Sequence, residues 1–208
     1  MILIGQYDSP FVRRVGITLR LYGIGFEHRP WSVWGDAERI ARYNPLRRVP
    51  TLLLDDGGVL VDSFCIVQAL DEMVGPQRTL VPAPGPSRHD AWRIAALCSG
   101  ICDKAVVLLY SSLKLMAPSE AWKARCQTQI RETFARLEAE RARRSASHWF
   151  GESLTHADIG FACAFRFTSE AHSEFFDPKA YPALAAHSEA CEALPEFREI
   201  SLPITNNL

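Results

Sequence analysis

Three short stretches of this 208-residue chain carry residue types that could do chemistry together. In the first, Ser9-Pro10 follows the turn Gly5-Gln6-Tyr7-Asp8. Serine at a helix N-cap with proline at the first helical position is a strong start signal, because proline lacks the N–H that would go unpaired there. The hydroxyl then sits where backbone donors and the positive end of the helix dipole converge, which suits an anion. In the second, Asp62-Ser63 at another helix start presents a carboxylate, a hydroxyl and free N–H groups. Such a set could hold a zwitterionic amino-acid end, with Ser63 and the amides on its carboxylate and Asp62 near its ammonium. In the third, Asn44 to Leu52, Pro50 stands at the mouth of an apolar strand, where proline cannot donate to a sheet. A cis Val49-Pro50 bond would turn the Val49 N–H and C=O outward as an edge for an extended ligand, and an edge-strand proline is the alternative. Arg48 beside it could pair with a second carboxylate. Singly, each residue also has a structural reading, capping for Ser9 and Ser63 and solvation for Arg48.

The elements that must position these residues fall into two unlike halves. Met1 to Ile4 reads as a strand, and Val12, Val15, Leu19 and Tyr22 recur at helical spacing on one face of the helix after Pro10, with Arg13, Arg14 and Arg20 elsewhere on the turn. Gly23 and Gly25 end that pattern, and Phe26 to Arg29 can form a second strand, parallel to the first across the helical crossover. A short helix is expected within Asp36 to Tyr43. Thr51-Leu52-Leu53-Leu54 and Val59-Leu60-Val61 flank Asp55-Asp56-Gly57-Gly58, a hairpin signal, and a helix from Asp62-Ser63 to about Val74 follows. Gly75-Pro76 and Pro82-Ala83-Pro84-Gly85-Pro86 suit an extended connector. The expected division is an α/β domain over 1–76, a linker over 77–86 and an all-helical domain over 87–208. Two long helices, Ser87 to Leu115 and Pro118 to Arg144, open the second half. Leu154-Thr155-His156-Ala157-Asp158-Ile159 then has the form of a capping box, Thr155 and Asp158 serving as reciprocal caps. Another helix runs from Ala183 to Leu194, and the tail from Pro195 has no strong pattern.

Composition narrows the function classes. With 23 Lys and Arg against 24 Asp and Glu the net charge is −1, which argues against a dedicated nucleic-acid binder. The apolar run at the start is too short for a signal-peptide core, and no later segment reads as an uninterrupted bilayer span, so the expectation is a soluble cytoplasmic protein. The six cysteines form no Cys-x-x-Cys pair and no zinc cluster, so they are expected reduced and buried. The six histidines show no metalloprotease spacing and have no Gly-x-Ser-x-Gly partner.

Taken in order, these stretches resemble a soluble glutathione S-transferase over nearly the whole chain. Tyr7-Asp8-Ser9-Pro10-Phe11-Val12-Arg13 is similar to the serine-type bacterial pattern, and Asn44-Pro45 through Val49-Pro50-Thr51-Leu52 to the segment bearing the cis-proline. Asp62-Ser63 is similar to the acidic-Ser pair, the Thr155 to Asp158 box to that of the helical domain, and Tyr181-Pro182-Ala183-Leu184 to a late helix start. The resemblance implies a thioredoxin-like N-terminal domain, an all-α C-terminal domain and a homodimer. It implies glutathione as co-substrate and no metal. Glutathione would lie along Arg48, Val49, Pro50, Asp62 and Ser63 with its thiol at Ser9, and a small electrophile over an apolar pocket between the domains to which Phe11, Trp34 and Tyr110 contribute.

On that resemblance the site must favour a thiolate, since a free thiol with a pKa of about 8.5 is mostly protonated at neutral pH. Lowering the pKa by about two units takes roughly 2.7 kcal/mol. A hydroxyl donated to the thiolate supplies about 1.5–3 kcal/mol and a helix N-terminus about 0.3–1 more, so no dedicated base is required. Ser9 is the expected donor and Tyr7 the rival, because other branches of the family use a tyrosine near the end of the first strand. Two departures from the family pattern stand out. Arg47-Arg48 replaces the more usual Gly-Lys, and Ser9 occupies the place where thiol-transferring relatives carry cysteine, which disfavours glutaredoxin-like chemistry. The competing functions are a ligand-binding or regulatory protein of the same architecture and a glutathione-dependent isomerase or dehalogenase.

Overall fold

A computed structural model describes residues 1–204. The chain divides into two units, Met1–Leu80 joined by the segment from Pro195, and Val81–Leu194.

The first unit is built on a four-stranded sheet of order β2-β1-β3-β4, formed by β1 (Ile2–Ile4), β2 (Glu27–Arg29), β3 (Thr51–Leu53) and β4 (Val59–Val61). β1 and β2 run parallel across the crossover helix α1 (Pro10–Leu21), and β3 is antiparallel to both β1 and β4. The short α2 spans Ala37–Ala41, and α3 spans Ser63–Val74. Leu3 and Leu52 face each other across the β1–β3 pair and share a buried cluster with Val12, Val15 and Leu19 of α1 and Ile66, Val67 and Leu70 of α3. Burying each such side chain contributes about 1.5–3 kcal/mol, which is what fixes these two helices to the sheet. Tyr22 ends α1, and its hydroxyl donates to Asp71 and accepts from the Leu80 N–H at 2.9 Å. Gly23, at φ 66°, takes the left-handed conformation that stops the helix.

Two differences from the sequence reading concern this unit. Arg13 and Arg14, expected on the turn away from the core, are both buried. The Arg13 Nε and Nη2 donate to the carbonyls of Ile200 (2.8 Å) and Phe197 (3.0 Å). The tail therefore does not group with 87–208: it forms α8 (Pro195–Glu199) and belongs with the first unit, because Arg13 holds its carbonyls and Ile200 packs on Gly16. Likewise residues 77–80, expected in the connector, are tied to Tyr22, whose carbonyl accepts from Arg78 at 2.5 Å.

The second unit is helical: α4 (Pro86–Ser112), α5 (Glu120–Arg141), α6 (His156–Ala171) and α7 (Pro182–Glu192). α4 is long and apolar enough to cross a membrane by length and composition, contrary to the reading that no segment was. Its apolar face, including Ile94, Ala95, Cys98 and Ala105, is buried in this unit, where α4 packs on α5 and α6. The capping box at the start of α6 is formed as expected, the Thr155 N–H and hydroxyl both bonding Asp158 Oδ2 at 2.8 and 2.7 Å. Asp158 is fully buried, and its Oδ1 accepts from the Trp149 N–H at 2.8 Å and meets His187 Nε2 at 3.0 Å. Burial pushes the Asp158 carboxyl pKa up, but the bonds from His187, Trp149 and Thr155 outweigh it and hold the pKa below its usual value. All six cysteines are free; five are buried as expected, and Cys65 is exposed.

Candidate functional site

Ile4, Thr51 and Val61 lie side by side in the sheet, since Ile4 pairs with Thr51 and Thr51 with Val61. Three connections open from this one row: the turn from β1 to Ser9, the approach to β3 through Val49-Pro50, and the step from β4 to Asp62-Ser63. Strand pairing thus brings all three chemistry-bearing stretches to one end of the sheet. Gly5 lets the chain close up there. A Cβ on Gly5 would lie 2.5 Å from Val12 Cγ2 and 2.8 Å from Val49 Cβ, and φ at this residue is 129°. Only glycine allows the start of α1 and the Val49 segment to approach so closely.

Ser9 caps α1 with extended backbone, φ −68° and ψ 122°, and its Oγ accepts from the Val12 N–H at 3.4 Å. Accepting there uses a lone pair and leaves the hydroxyl hydrogen to donate elsewhere. Pro10 has no N–H and the Val12 N–H is taken. Among the described residues Phe11 therefore carries the open main-chain donor of this helix start. Asp8 is half-buried and makes no ion pair among the described residues, and the Ser9 N–H donates to the Gln6 carbonyl at 3.2 Å. Burial holds the Asp8 carboxyl pKa above its usual value.

Tyr7 is turned elsewhere. Its ring stacks on His28 at 3.8 Å and 4°, and its Cε1 lies 3.3 Å from where a Gly16 Cβ would stand. Gly16 is seven residues beyond Ser9, roughly 10 Å along the helix axis at about 1.5 Å per residue. Burial pushes the phenol pKa up to about 12, opposed only by the Arg20 charge another turn along. His28 is in turn fixed by a 2.8 Å bond between its Nε2 and the Gly5 carbonyl.

Val49-Pro50 is a cis peptide bond. Among the described residues the Val49 N–H and C=O form no hydrogen bond, so this main-chain edge is open. Buried Asn44 braces the segment: its Nδ2 donates to the Arg48 carbonyl (2.9 Å) and Thr51 Oγ1 (3.2 Å), and its Oδ1 accepts from the Leu46 N–H at 3.1 Å. The two arginines differ. Arg47 has φ 53° and donates to Glu38 at 2.7 Å, whereas the exposed guanidinium of Arg48 has no partner among the described residues.

Asp62, at φ 70°, is the N-cap of α3, and its Oδ1 accepts from the N–H groups of Phe64 (2.8 Å) and Cys65 (3.3 Å). Those amides, expected to be free for a ligand carboxylate, are therefore occupied. Among the described residues, the Ser63 N–H and hydroxyl and the second carboxylate oxygen of Asp62 stay open. Phe11 lies in the first turn of α1, exposed Trp34 precedes α2, and Tyr110 sits on α4 in the other unit. Among the described residues no group of three or more His, Cys, Asp or Glu is placed to hold a metal ion. Gly5 and Asn44 were missed as contributors from the sequence. A glycine directly after a strand and an asparagine before proline were the available signals.

Residues 3–78 match the family model described as glutathione S-transferase, N-terminal domain, and residues 120–190 the one described as glutathione S-transferase, C-terminal domain. An uncharacterized GST-like protein of Escherichia coli, YibF, is 33% identical over 107 residues, which is 51% of this chain and 52% of that relative, so the match spans about half its length. A solved glutathione S-transferase of Methylobacterium radiotolerans, in complex with glutathione sulfonate, is 30% identical with a TM-score of 0.86, over 100% of this chain and 98% of that one. A glutathione transferase family member of Pseudomonas fluorescens with bound glutathione is 30% identical with a TM-score of 0.81, over 98% and 99%.

Proposed function

Because this chain belongs to the glutathione S-transferase family, we propose that the sheet end carrying Ser9, Val49 and Ser63 binds glutathione and that the protein transfers its thiol to small electrophiles. The observation that carries this reading is the convergence, on the Ile4–Thr51–Val61 row, of a cap hydroxyl, an open main-chain edge and an open helix start. The Val49 N–H and C=O pair with the peptide backbone of glutathione. Ser63 takes the γ-glutamyl carboxylate, the free oxygen of Asp62 faces the ammonium, and Arg48 meets the glycyl carboxylate.

The sulfur then lies at Ser9, whose hydroxyl hydrogen is uncommitted, beside the Phe11 N–H at the positive end of α1. Ser9 stabilises the thiolate and is not itself the nucleophile. Tyr7, with its ring packed along α1 toward Gly16, is poorly placed to compete, which supports Ser9 as donor. Phe11 and Trp34 offer apolar surface to the electrophile. The same reading makes the protein a cytoplasmic homodimer, and sedimentation of the purified protein tests the dimer.

Retention on immobilised glutathione followed by a conjugation assay with an activated aryl halide tests the function. Retention with turnover is expected. Retention without turnover favours a ligand-binding protein of the same fold, and failure to be retained overturns the assignment.

A further inference from the structure

Rigidity at Gly5 has to come from outside the residue. Its φ of 129° is a glycine conformation, and glycine has more backbone freedom to lose on folding than any other residue. The neighbouring strand β2 supplies the hold. The Gly5 N–H donates to the Arg29 carbonyl at 2.9 Å, and the Gly5 carbonyl lies 2.8 Å from His28 Nε2. A carbonyl only accepts, so Nε2 carries the hydrogen and the imidazole is the donor. The same ring lies flat on Tyr7, with centroids 3.8 Å apart and planes 4° from parallel. One side chain of β2 thus grips the turn into α1 at two points, Gly5 and Tyr7. The Ser9 N–H closes what remains of the turn by donating to the Gln6 carbonyl at 3.2 Å.

Resting on the glutathione reading above, we propose that His28 is a positioning residue for the thiolate donor: through Gly5 and Tyr7 it sets where the Ser9 hydroxyl stands relative to the open Val49 edge. Gly5 is also where a side chain would collide with both Val12 of α1 and Val49, so a peptide free to turn there would move the cap and the edge relative to each other. A hydrogen bond weakens steeply with lost alignment, so a small displacement of Ser9 costs thiolate. The Val49 and Ser63 contacts to glutathione belong to other connections of the sheet and stay in place. Loss of the His28 bond therefore acts on thiolate and rate, and spares affinity.

Two substitutions isolate that bond. His28→Phe keeps a flat ring for Tyr7 and deletes the donor. It is expected to raise the pKa of the bound glutathione thiol by about 0.5–1 unit and to lower kcat about three- to tenfold at neutral pH, one effect read twice at tenfold per unit. KM for glutathione should stay within about twofold, and the rate gap should close as pH rises. His28→Gln, whose amide reaches about as far as Nε2, should recover most of the loss. The measurements are conjugation to an activated aryl halide across pH, ultraviolet titration of the bound thiol, and thermal unfolding of each variant. A His28→Phe protein with the thiol pKa and kcat of its parent overturns the proposal whatever its Tm, because the role is then structural only. His28→Gln performing no better than His28→Phe overturns it too. Should His28→Phe fail to fold, His28→Asn, whose amide stops short of Gly5, takes its place with the same expectations. A parent that forms neither thiolate nor conjugate defeats the glutathione reading itself, which keeps the two failures apart.

Discussion

On the proposed function, replacing Ser9 by alanine removes two things of unequal size, a cap bond and a hydrogen bond donated to the thiolate. The cap bond from Val12 to Ser9 Oγ is stretched, at 3.4 Å, so its loss belongs at the low end of the range for caps, about 0.5 kcal/mol. That corresponds to a fall of roughly 1–2 °C in Tm for a chain of this size. The donated hydrogen bond to a thiolate is worth about 1.5–3 kcal/mol, or roughly one to two pKa units on the bound thiol at about 1.4 kcal/mol per unit. Ser9→Ala is therefore expected to fold nearly as well as its parent, to bind glutathione within a few-fold, and to lose about 10- to 100-fold in kcat/KM at neutral pH. The loss should shrink as pH rises and the thiol ionises unaided. The assay is the pH profile of conjugation with an activated aryl halide, read beside an ultraviolet titration of the bound thiol. Ser9→Thr, which keeps a hydroxyl and a competent cap, should restore most of the rate. Tyr7→Phe should leave the profile in place, because the Tyr7 ring lies against Gly16 and His28. A Ser9→Ala profile superimposed on that of the parent, with Tyr7→Phe displaced, would refute the assignment.

Three further outcomes follow from the same geometry. Arg48→Ala should raise the KM for glutathione about two- to fivefold with kcat kept, the modest size reflecting an exposed cation, while Arg47→Ala, whose partner is Glu38, should leave KM unchanged; steady-state kinetics decide. Arg13→Met should cost about 2–4 kcal/mol in denaturant unfolding and open the segment from Pro195 to limited proteolysis, because two buried carbonyls lose their donor. Since the Asp158 pKa is lowered on folding, its stabilisation is fully present above the ordinary value of 3.8 and is lost as pH falls through the folded value. Urea unfolding between neutral and strongly acidic pH should show that acid limb in the parent and its loss in Asp158→Asn, which should be destabilised by about 3–5 kcal/mol at neutral pH.

What the sequence revealed was what neighbouring residues decide among themselves. The Ser9-Pro10 cap, the Asp55–Gly58 hairpin turn and the Thr155–Asp158 box depend on contacts within a few positions, and all three formed as read. What it concealed was settled across the chain. Arg13 looks like a surface residue of an amphipathic helix until carbonyls 184 and 187 positions away arrive to accept its hydrogens. The same distant bonds move the tail from Pro195 out of the helical unit to which composition assigned it. The amides of Phe64 and Cys65 read as free because the sequence shows a cap without showing that the Asp62 side chain satisfies it. Arg47 and Arg48 are chemically identical on paper, and only the position of Glu38 makes one of them available.

The site itself belongs to neither category, because each of its parts is local and their meeting is not. A cap, a proline and an acidic-Ser pair separated by about fifty residues become neighbours only through strand register. A shift of one residue along β3 would turn Leu52 out of the core and carry Val49 past Ser9. Register is fixed by the burial of Leu3 and Leu52 on one face. The closeness of approach is fixed at Gly5, where Val12 and Val49 leave no room for a side chain. The hydrophobic core of the first unit therefore does more than stabilise the fold: it sets the spacing between the Ser9 cap and the open Val49 edge, the proposed thiolate donor and peptide-binding edge. Mutations in that core should then act on rate as well as on stability, since in proximity-driven chemistry even ~1 Å of misplacement is costly.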